Sequence, residues 1–389
     1  MAVENWVAKE IDALTEFRRD LHRNPELLYD VTRTAASVAE KLRSYGCDEV
    51  VEGIGRTGVV GVIVGQSNTS GRTIGLRADM DALPIEEETQ ADWASTVPGK
   101  MHACGHDGHT TMLLGAAKQL AESRAFDGRV LVIFQPAEEG GAGAQAMIED
   151  GMFTRWPCDE VYGMHNRPNL PVGEFTISEG PIMGSVDEIR ITVEGRGGHA
   201  AMPHTTVDPM PITAALIQSV QGMTARTLDP MDNAVVSICT IEAGNAFNVV
   251  PQKVAMTGTV RTLREEVRTH IEERLRALVE SICAAHGAIG HLEYIRMYPV
   301  TINGAEGTRR AARAAQEVAG EDRVHLDMPA SLGGEDFSFM LNAVQGAMIN
   351  VGNGPSAGLH HPQYDFNDDV IAWGCSYWTT LVRQRLPLA

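Results

Sequence analysis

No stretch of the chain approaches the roughly 20 consecutive apolar residues that a bilayer-spanning helix needs. The N-terminal run MAVENWVAKEIDALTEFRRDLHRNPEL is charged throughout and lacks an apolar signal core, so no export signal is expected there. Cysteine is sparse: Cys47, Cys104, Cys158, Cys239, Cys283 and Cys375 are scattered without paired spacing. In a chain of 389 residues that scatter does not form a disulfide framework, and a reducing cytoplasm is the expected location. Positive charge is also scarce, with 32 Lys and Arg against 51 Asp and Glu and a formal net charge of -19. Such a surface repels phosphate, which argues against nucleic acid and anionic membranes as partners. Aromatic residues make up 5% of the chain, so little in the composition marks a substrate pocket. Internal repeats, low-complexity segments and long linkers are missing as well.

What is present is an ordinary globular composition in a chain longer than the roughly 250–300 residues over which one core grows. Two domains are therefore expected. Residues 5–23 and 34–45 have helical periodicity. Short apolar runs follow at Val59–Val64, Thr73–Leu76, Val130–Phe134 and Val161–Met164, with helical stretches at Thr110–Ser123 and Ala142–Glu149. Strands alternating with helices predict a parallel or mixed sheet covered on both faces.

A second pattern begins near Gly184. Glu188–Val193 reads as a strand, Pro209–Leu228 as a helix, and Ala234–Ile241 and Val254–Thr262 as strands. Arg264–His286 is a long amphipathic helix and His291–Met297 a last strand. The order βαββαβ is that of a ferredoxin-like module. After Pro299 the first pattern resumes, with a helix at Ala305–Val318 and a strand at Ala347–Val351. The expected architecture is a discontinuous α/β domain, residues 1–183 and 299–389, with a mixed sheet and helices on both faces. It is interrupted by an inserted ferredoxin-like α+β domain, residues 184–298.

Histidine is the informative residue type. The stretch Met101-His-Ala-Cys-Gly-His-Asp-Gly-His109 gathers one thiol and three imidazoles. Cys104 and His106, one residue apart, can reach one metal centre, and thiolate with imidazole suits zinc, manganese, cobalt or nickel. The strand around Val130 runs into Gln135-Pro-Ala-Glu-Glu139. Adjacent carboxylates repel unless a cation or a shared proton relieves them. One can then serve as a ligand and the other as a base acting on water. An isolated acidic pair after a strand is more often a solvated helix start. Three further strands end in the same way, at Asp79-Met-Asp81, at His165 and, after a Gly/Pro/Ser loop, at Leu359-His-His361. If these strands share one sheet, their ends meet along one edge, where ligands of α/β sheets sit.

At this point the chain resembles the metallopeptidase superfamily of aminoacylase and glutamate carboxypeptidase. Within it the chain is most similar to the branch of hippurate hydrolase and auxin-conjugate amidohydrolases. The resemblance is carried by Arg18-Arg-Asp-Leu-His-Arg-Asn-Pro-Glu26, Ala78–Pro84, His102–Asp107, Gln135–Gly140, Gly163-Met-His165, Gly198–His204, Asn248–Pro251, Gly334-Glu-Asp-Phe337 and Leu359–Pro362, in order along nearly the whole chain. It implies two divalent metals, with Cys104 bridging them and His106, Glu139, His165 and His360 completing their coordination. Glu138 would be the base that takes a proton from water and returns it to the leaving amine. His199 would hydrogen-bond the oxyanion, and Asp81 would orient a ligand. Asn248 and Arg261 are weaker candidates for gripping a substrate carboxylate. Many superfamily members carry His-x-Asp where this chain has Asp79-Met-Asp81, so the Cys104-x-His106 pair takes over. His360 is preferred to His361 on the branch pattern alone, and His102 and His109 read as supporting or structural.

The expected reaction is hydrolysis of a small N-acyl amino acid to a carboxylic acid and a free amino acid. A homodimer or higher homo-oligomer through the inserted domain is the family expectation, with that domain closing over the site. The alternatives are a dipeptidase or carboxypeptidase on the same scaffold, or a metal-stabilised binding protein without turnover. A zinc deaminase is excluded, because its combined signature of His-x-Glu followed by Pro-Cys-x-x-Cys is missing.

Overall fold

The computed structural model describes residues 4–388. The chain forms two compact units. One runs up to Gly180 and takes in Ile302–Pro329 and the chain from Asp336 onward. The other is Pro181–Thr301 with Ala330–Glu335, so it is slightly wider than the segment read from the sequence and takes in a short later stretch. No helix among the described residues is long and apolar enough to cross a membrane.

In the first unit the apolar runs are strands, and each extends beyond its apolar stretch: Gly58–Val64, Thr73–Asp79, Arg129–Gln135, Glu160–Pro168 and Gly346–Gly354. Among the described residues, eight strands make one mixed sheet. Its order is Glu49–Ile54, Gly58–Val64, Arg129–Gln135, Thr73–Asp79, Glu160–Pro168, Gly346–Gly354, Phe175–Thr176 and Val324–His325. The four in the middle, from Arg129–Gln135 to Gly346–Gly354, are mutually parallel. Their carboxyl ends therefore emerge on one side. All seven residues of Thr73–Asp79 are buried, and since strand side chains alternate, both faces of the sheet are covered there. Leu76, Met112, Val132, Ile349 and Trp378 belong to one continuous core.

Two helices of this unit depart from the periodicity. The helix expected from Thr110 starts at His106. Its first residues, His-Asp-Gly-His, are poor helix formers with no apolar stripe, and burial of every one of them overrides propensity. Asp369–Arg385 was not expected as a helix. Val370 and Ile371 are buried, and so is every residue from Gly374 to Val382, so no one-sided stripe marks it.

The second unit follows the order strand Val186–Glu194, helix Pro209–Thr227, strands Ala234–Ala243 and Lys253–Thr262, helix Glu265–Ala285 and strand Ile289–Tyr298. The sheet order is Ala234–Ala243, Lys253–Thr262, Val186–Glu194, Ile289–Tyr298, antiparallel throughout. This is the split βαβ arrangement. Val267, Ile271, Leu275, Val279 and Cys283 recur at four-residue spacing on the Glu265–Ala285 helix and are all buried, as one helical face requires. The Pro209–Thr227 helix starts with proline in its first turn and an Asp208 side chain accepting from Met210 N–H.

Candidate metal centre

The first unit brings its signature residues to the carboxyl side of the parallel strands. Thr73–Asp79 ends at Asp79, and the Asp81 carboxylate just beyond accepts from the backbone N–H of Glu138 (2.9 Å) and of Glu139 (3.1 Å). One carboxylate thereby holds the turn that follows Arg129–Gln135. Ala137 in that turn has φ 54°, a left-handed conformation uncommon outside glycine. His165 is inside the Glu160–Pro168 strand, not at its end as the apolar run suggested. His360 follows the Gly346–Gly354 strand through a loop and is itself left-handed, with φ 63°.

The donor atoms converge in three overlapping sets, Cys104–His106–His165, Cys104–Glu139–His360 and His106–Glu138–Glu139, with atoms within 4.8 Å of one another in each. Cys104 Sγ is 3.4 Å from His165 Nε2. Glu139 Oε1 is 3.4 Å from His360 Nε2 and 3.9 Å from His106 Nε2. His106 Nδ1 donates to the Asp81 carbonyl (2.7 Å), which leaves its Nε2 facing the cluster. His165 Nδ1 donates to the Asn166 carbonyl (2.6 Å), with the same result. His106 Nε2 and Glu139 Oε1 are buried without a hydrogen-bond partner. Leaving such atoms unsatisfied costs about 1–3 kcal/mol each, and a cation removes that cost. Thiol, imidazole and carboxylate donors fit borderline divalent ions.

Charge at the centre argues the same way. Burial, then the carboxylates of Glu139, Glu138 and Asp79, push the Cys104 thiol well above its ordinary range. Burial alone would lower the His106 imidazole, but Asp79, Asp81 and Glu139 outweigh it and raise it to about 10. Burial and the neighbouring His109 push His165 well below its ordinary value. A cation here would favour the thiolate and the neutral imidazoles.

Asp79 also groups with His106 and His109, but it is engaged by other partners. It accepts from Arg77 (2.8 Å) and from His109 Nδ1 (2.6 Å). Arg77 also donates to Gln135 (2.8 Å) and Asp336 (3.1 Å), tying the strand ends to the Gly334–Phe337 motif. Apart from Arg77, these supporting residues lay inside the quoted motifs, but no spacing rule assigned them roles. His102 is buried with neither ring nitrogen hydrogen-bonded. Between His360 and His361 the geometry distinguishes clearly: His360 faces Glu139, whereas His361 Nδ1 accepts from Gln363 N–H (3.0 Å).

His199, Asn248 and Arg261 belong to the second unit, and none joins these donor sets. His199 is exposed on the short strand Gly198–His199, which pairs with Val249–Val250. Asn248 is exposed, and its carbonyl accepts from Ala200 N–H (3.1 Å). Arg261 is half-buried, with Nε donating to Thr259 Oγ1 (3.1 Å).

Comparison with known proteins matches residues 75–384 to the family described as Peptidase family M20/M25/M40. The chain is 40% identical over 385 residues to the hippurate hydrolase of Campylobacter jejuni, covering 98% of this chain and 100% of that one. It is 40% identical over 382 residues to thermostable carboxypeptidase 2 of Saccharolobus solfataricus, covering 96% and 95%. Among solved structures, the Bacillus subtilis YXEP protein, described as a dinuclear metal binding peptidase, superposes with a TM-score of 0.86 at 33% identity, covering 98% and 99%.

Proposed function

The chain belongs to peptidase family M20/M25/M40 and is a hydrolase of the amidohydrolase and peptidase kind, and from that premise we propose that it cleaves the amide bond of N-acyl amino acids. The substrates are hippurate-like or N-acetylated, and the products are a carboxylic acid and a free amino acid. The observation that carries this reading is the pair of buried donors without a hydrogen bond, His106 Nε2 and Glu139 Oε1, aimed into a cluster that also holds Cys104, His165 and His360.

Those five residues would hold two divalent ions, manganese, zinc, cobalt or nickel, and Cys104 belongs to two of the donor sets. When bound, the ions polarise the acyl carbonyl and lower the pKa of water. Glu138, held beside Glu139 by Asp81, takes the proton from the attacking water and delivers it to the departing amine. His199 Nδ1 accepts from Ala201 N–H (3.1 Å), so its Nε2 carries the proton and can donate to the oxyanion. Asn248 and Arg261 grip the substrate carboxylate. The second unit pairs two subunits, since Ala234–Ala243 and Ile289–Tyr298 are its sheet edges. All the cysteines are free, in keeping with a reducing cytoplasm.

The test is an activity panel. Metal-stripped enzyme restored with each ion is offered hippurate, N-acetyl amino acids and dipeptides. Release of amino acid from the acylated substrates supports the proposal, and no turnover with any ion overturns it. The second reading, a carboxypeptidase, is favoured by the Saccharolobus relative and wins if peptides are cleaved faster.

A further inference from the structure

Resting on the metal-centre reading above, we infer that Asn166 is a positioning residue that sets Cys104 and His165, with His109 and Tyr364 fixing Asn166 from behind. Asn166 directly follows His165 on the Glu160–Pro168 strand and is 1% exposed. A buried Asn must satisfy an amide donor group, an amide acceptor and its own backbone. Here every one of these groups is used, and each bond points at the metal centre or at a residue that orients it.

The directions can be deduced from the groups that only accept. The Asp79 carboxylate faces His109 Nδ1 (2.6 Å), so that nitrogen carries the proton. His109 Nε2 is then a lone pair, and it accepts the Asn166 backbone N–H (2.9 Å). The Asn166 carbonyl accepts from His165 Nδ1 (2.6 Å), which turns the His165 Nε2 lone pair toward Cys104 Sγ, 3.4 Å away. The side chain works on the other ligand. The Cys104 carbonyl only accepts, so the Asn166 Nδ2 must face it (2.6 Å). That leaves Oδ1 for the buried Tyr364 hydroxyl, which donates to it (2.7 Å). One residue therefore holds a histidine ring through its backbone and the Cys104 loop through its amide.

The loop is shaped to meet that amide. Gly105 has φ 92°, and a Cβ there would lie 2.2 Å from Asn166 Nδ2 and 2.6 Å from the Tyr364 hydroxyl. Only glycine lets the chain between Cys104 and His106 come this close. His109 and Tyr364 are not members of the donor sets that include Cys104, and their polar atoms are spent on Asp79 and Asn166.

The probe is cobalt(II), titrated into metal-stripped wild type, Asn166→Ala and Tyr364→Phe. The readouts are the thiolate-to-cobalt charge-transfer absorption, the cobalt bound per chain and thermal melting. The wild type is expected to show the thiolate band and Cys104→Ser to lack it. Asn166→Ala should weaken cobalt binding about 10–100-fold, the usual effect of losing a group that orients a ligand, and should shift or diminish the band. Tyr364→Phe keeps its shape and removes one bond to the amide, so it should show a smaller loss in the same direction. Unchanged affinity and an unchanged band in both variants would overturn the inference. If Asn166→Ala does not fold, Tyr364→Phe decides alone by the same criterion. A wild type that shows no thiolate band overturns the metal-centre reading itself, and this is seen before any variant is made.

Discussion

In the first unit the proposed metal-holding side chains are enclosed and braced apart from His360, which is exposed: His106 is 1% exposed, Cys104 6%. His106 and His165 each donate one ring nitrogen to a backbone carbonyl. In the second unit His199 and Asn248 are exposed, and His199 is oriented by a single local bond from Ala201 N–H. The first arrangement sets tautomer and position before any substrate arrives. The second leaves a side chain free to meet a substrate that must also enter and leave. Damage to the enclosed centre should therefore appear in metal content, and damage to the exposed segment in turnover alone.

The largest break in that pattern is expected at Glu138, which lies in the enclosed centre but is proposed to act on water. Glu138→Ala should lower kcat by about 10²–10⁴-fold while metal content, measured by elemental analysis, stays near wild type. Near-normal turnover would remove Glu138 from the mechanism. His199→Ala should lower kcat by about 10²–10³-fold, the usual cost of one oxyanion donor, with metal content and melting temperature unchanged. Loss of metal in that variant would contradict the division between the units.

Proton competition sharpens the comparison next. Both the Cys104 thiol and the His106 imidazole are raised, by burial and carboxylates at Cys104 and by carboxylates against burial at His106, so both hold protons that a metal must displace. Affinity should therefore rise with pH, by about tenfold or more per pH unit. Cobalt(II) titrations at about pH 6 and about pH 8 would check this, and a flat response would count against Cys104 and His106 as ligands. The smallest effect is expected from Asp208→Ala, which removes the cap of the Pro209–Thr227 helix. It should cost about 1 kcal/mol in the second unit, read as a lower melting temperature with cobalt binding unchanged.

Much of this molecule was legible along the chain because its determinants are local. The apolar runs that became the central strands, and the four-residue spacing on Glu265–Ala285, follow from which faces must be buried. The histidines, Cys104 and the paired glutamates stood out because few other arrangements place such groups so densely. The signal failed where burial was uniform. Asp369–Arg385 has almost no exposed stripe in its middle, and the helix at His106 begins on residues that disfavour helix. The strand Glu49–Ile54 was missed because its half-exposed residues alternate with neither face clearly apolar.

By itself the sequence determined the two-part α/β architecture, the ferredoxin-like order of the second unit and the residue types able to hold a divalent ion. Each of these depends on composition or on spacing along one segment. Only the tertiary structure decided that His360 and not His361 faces Glu139, that Asp79 binds Arg77 and His109, and that Asn166 reaches the Cys104 carbonyl. Those are contacts between residues far apart in the chain. Their partners are chosen by how strands stack side by side, a choice no local pattern records.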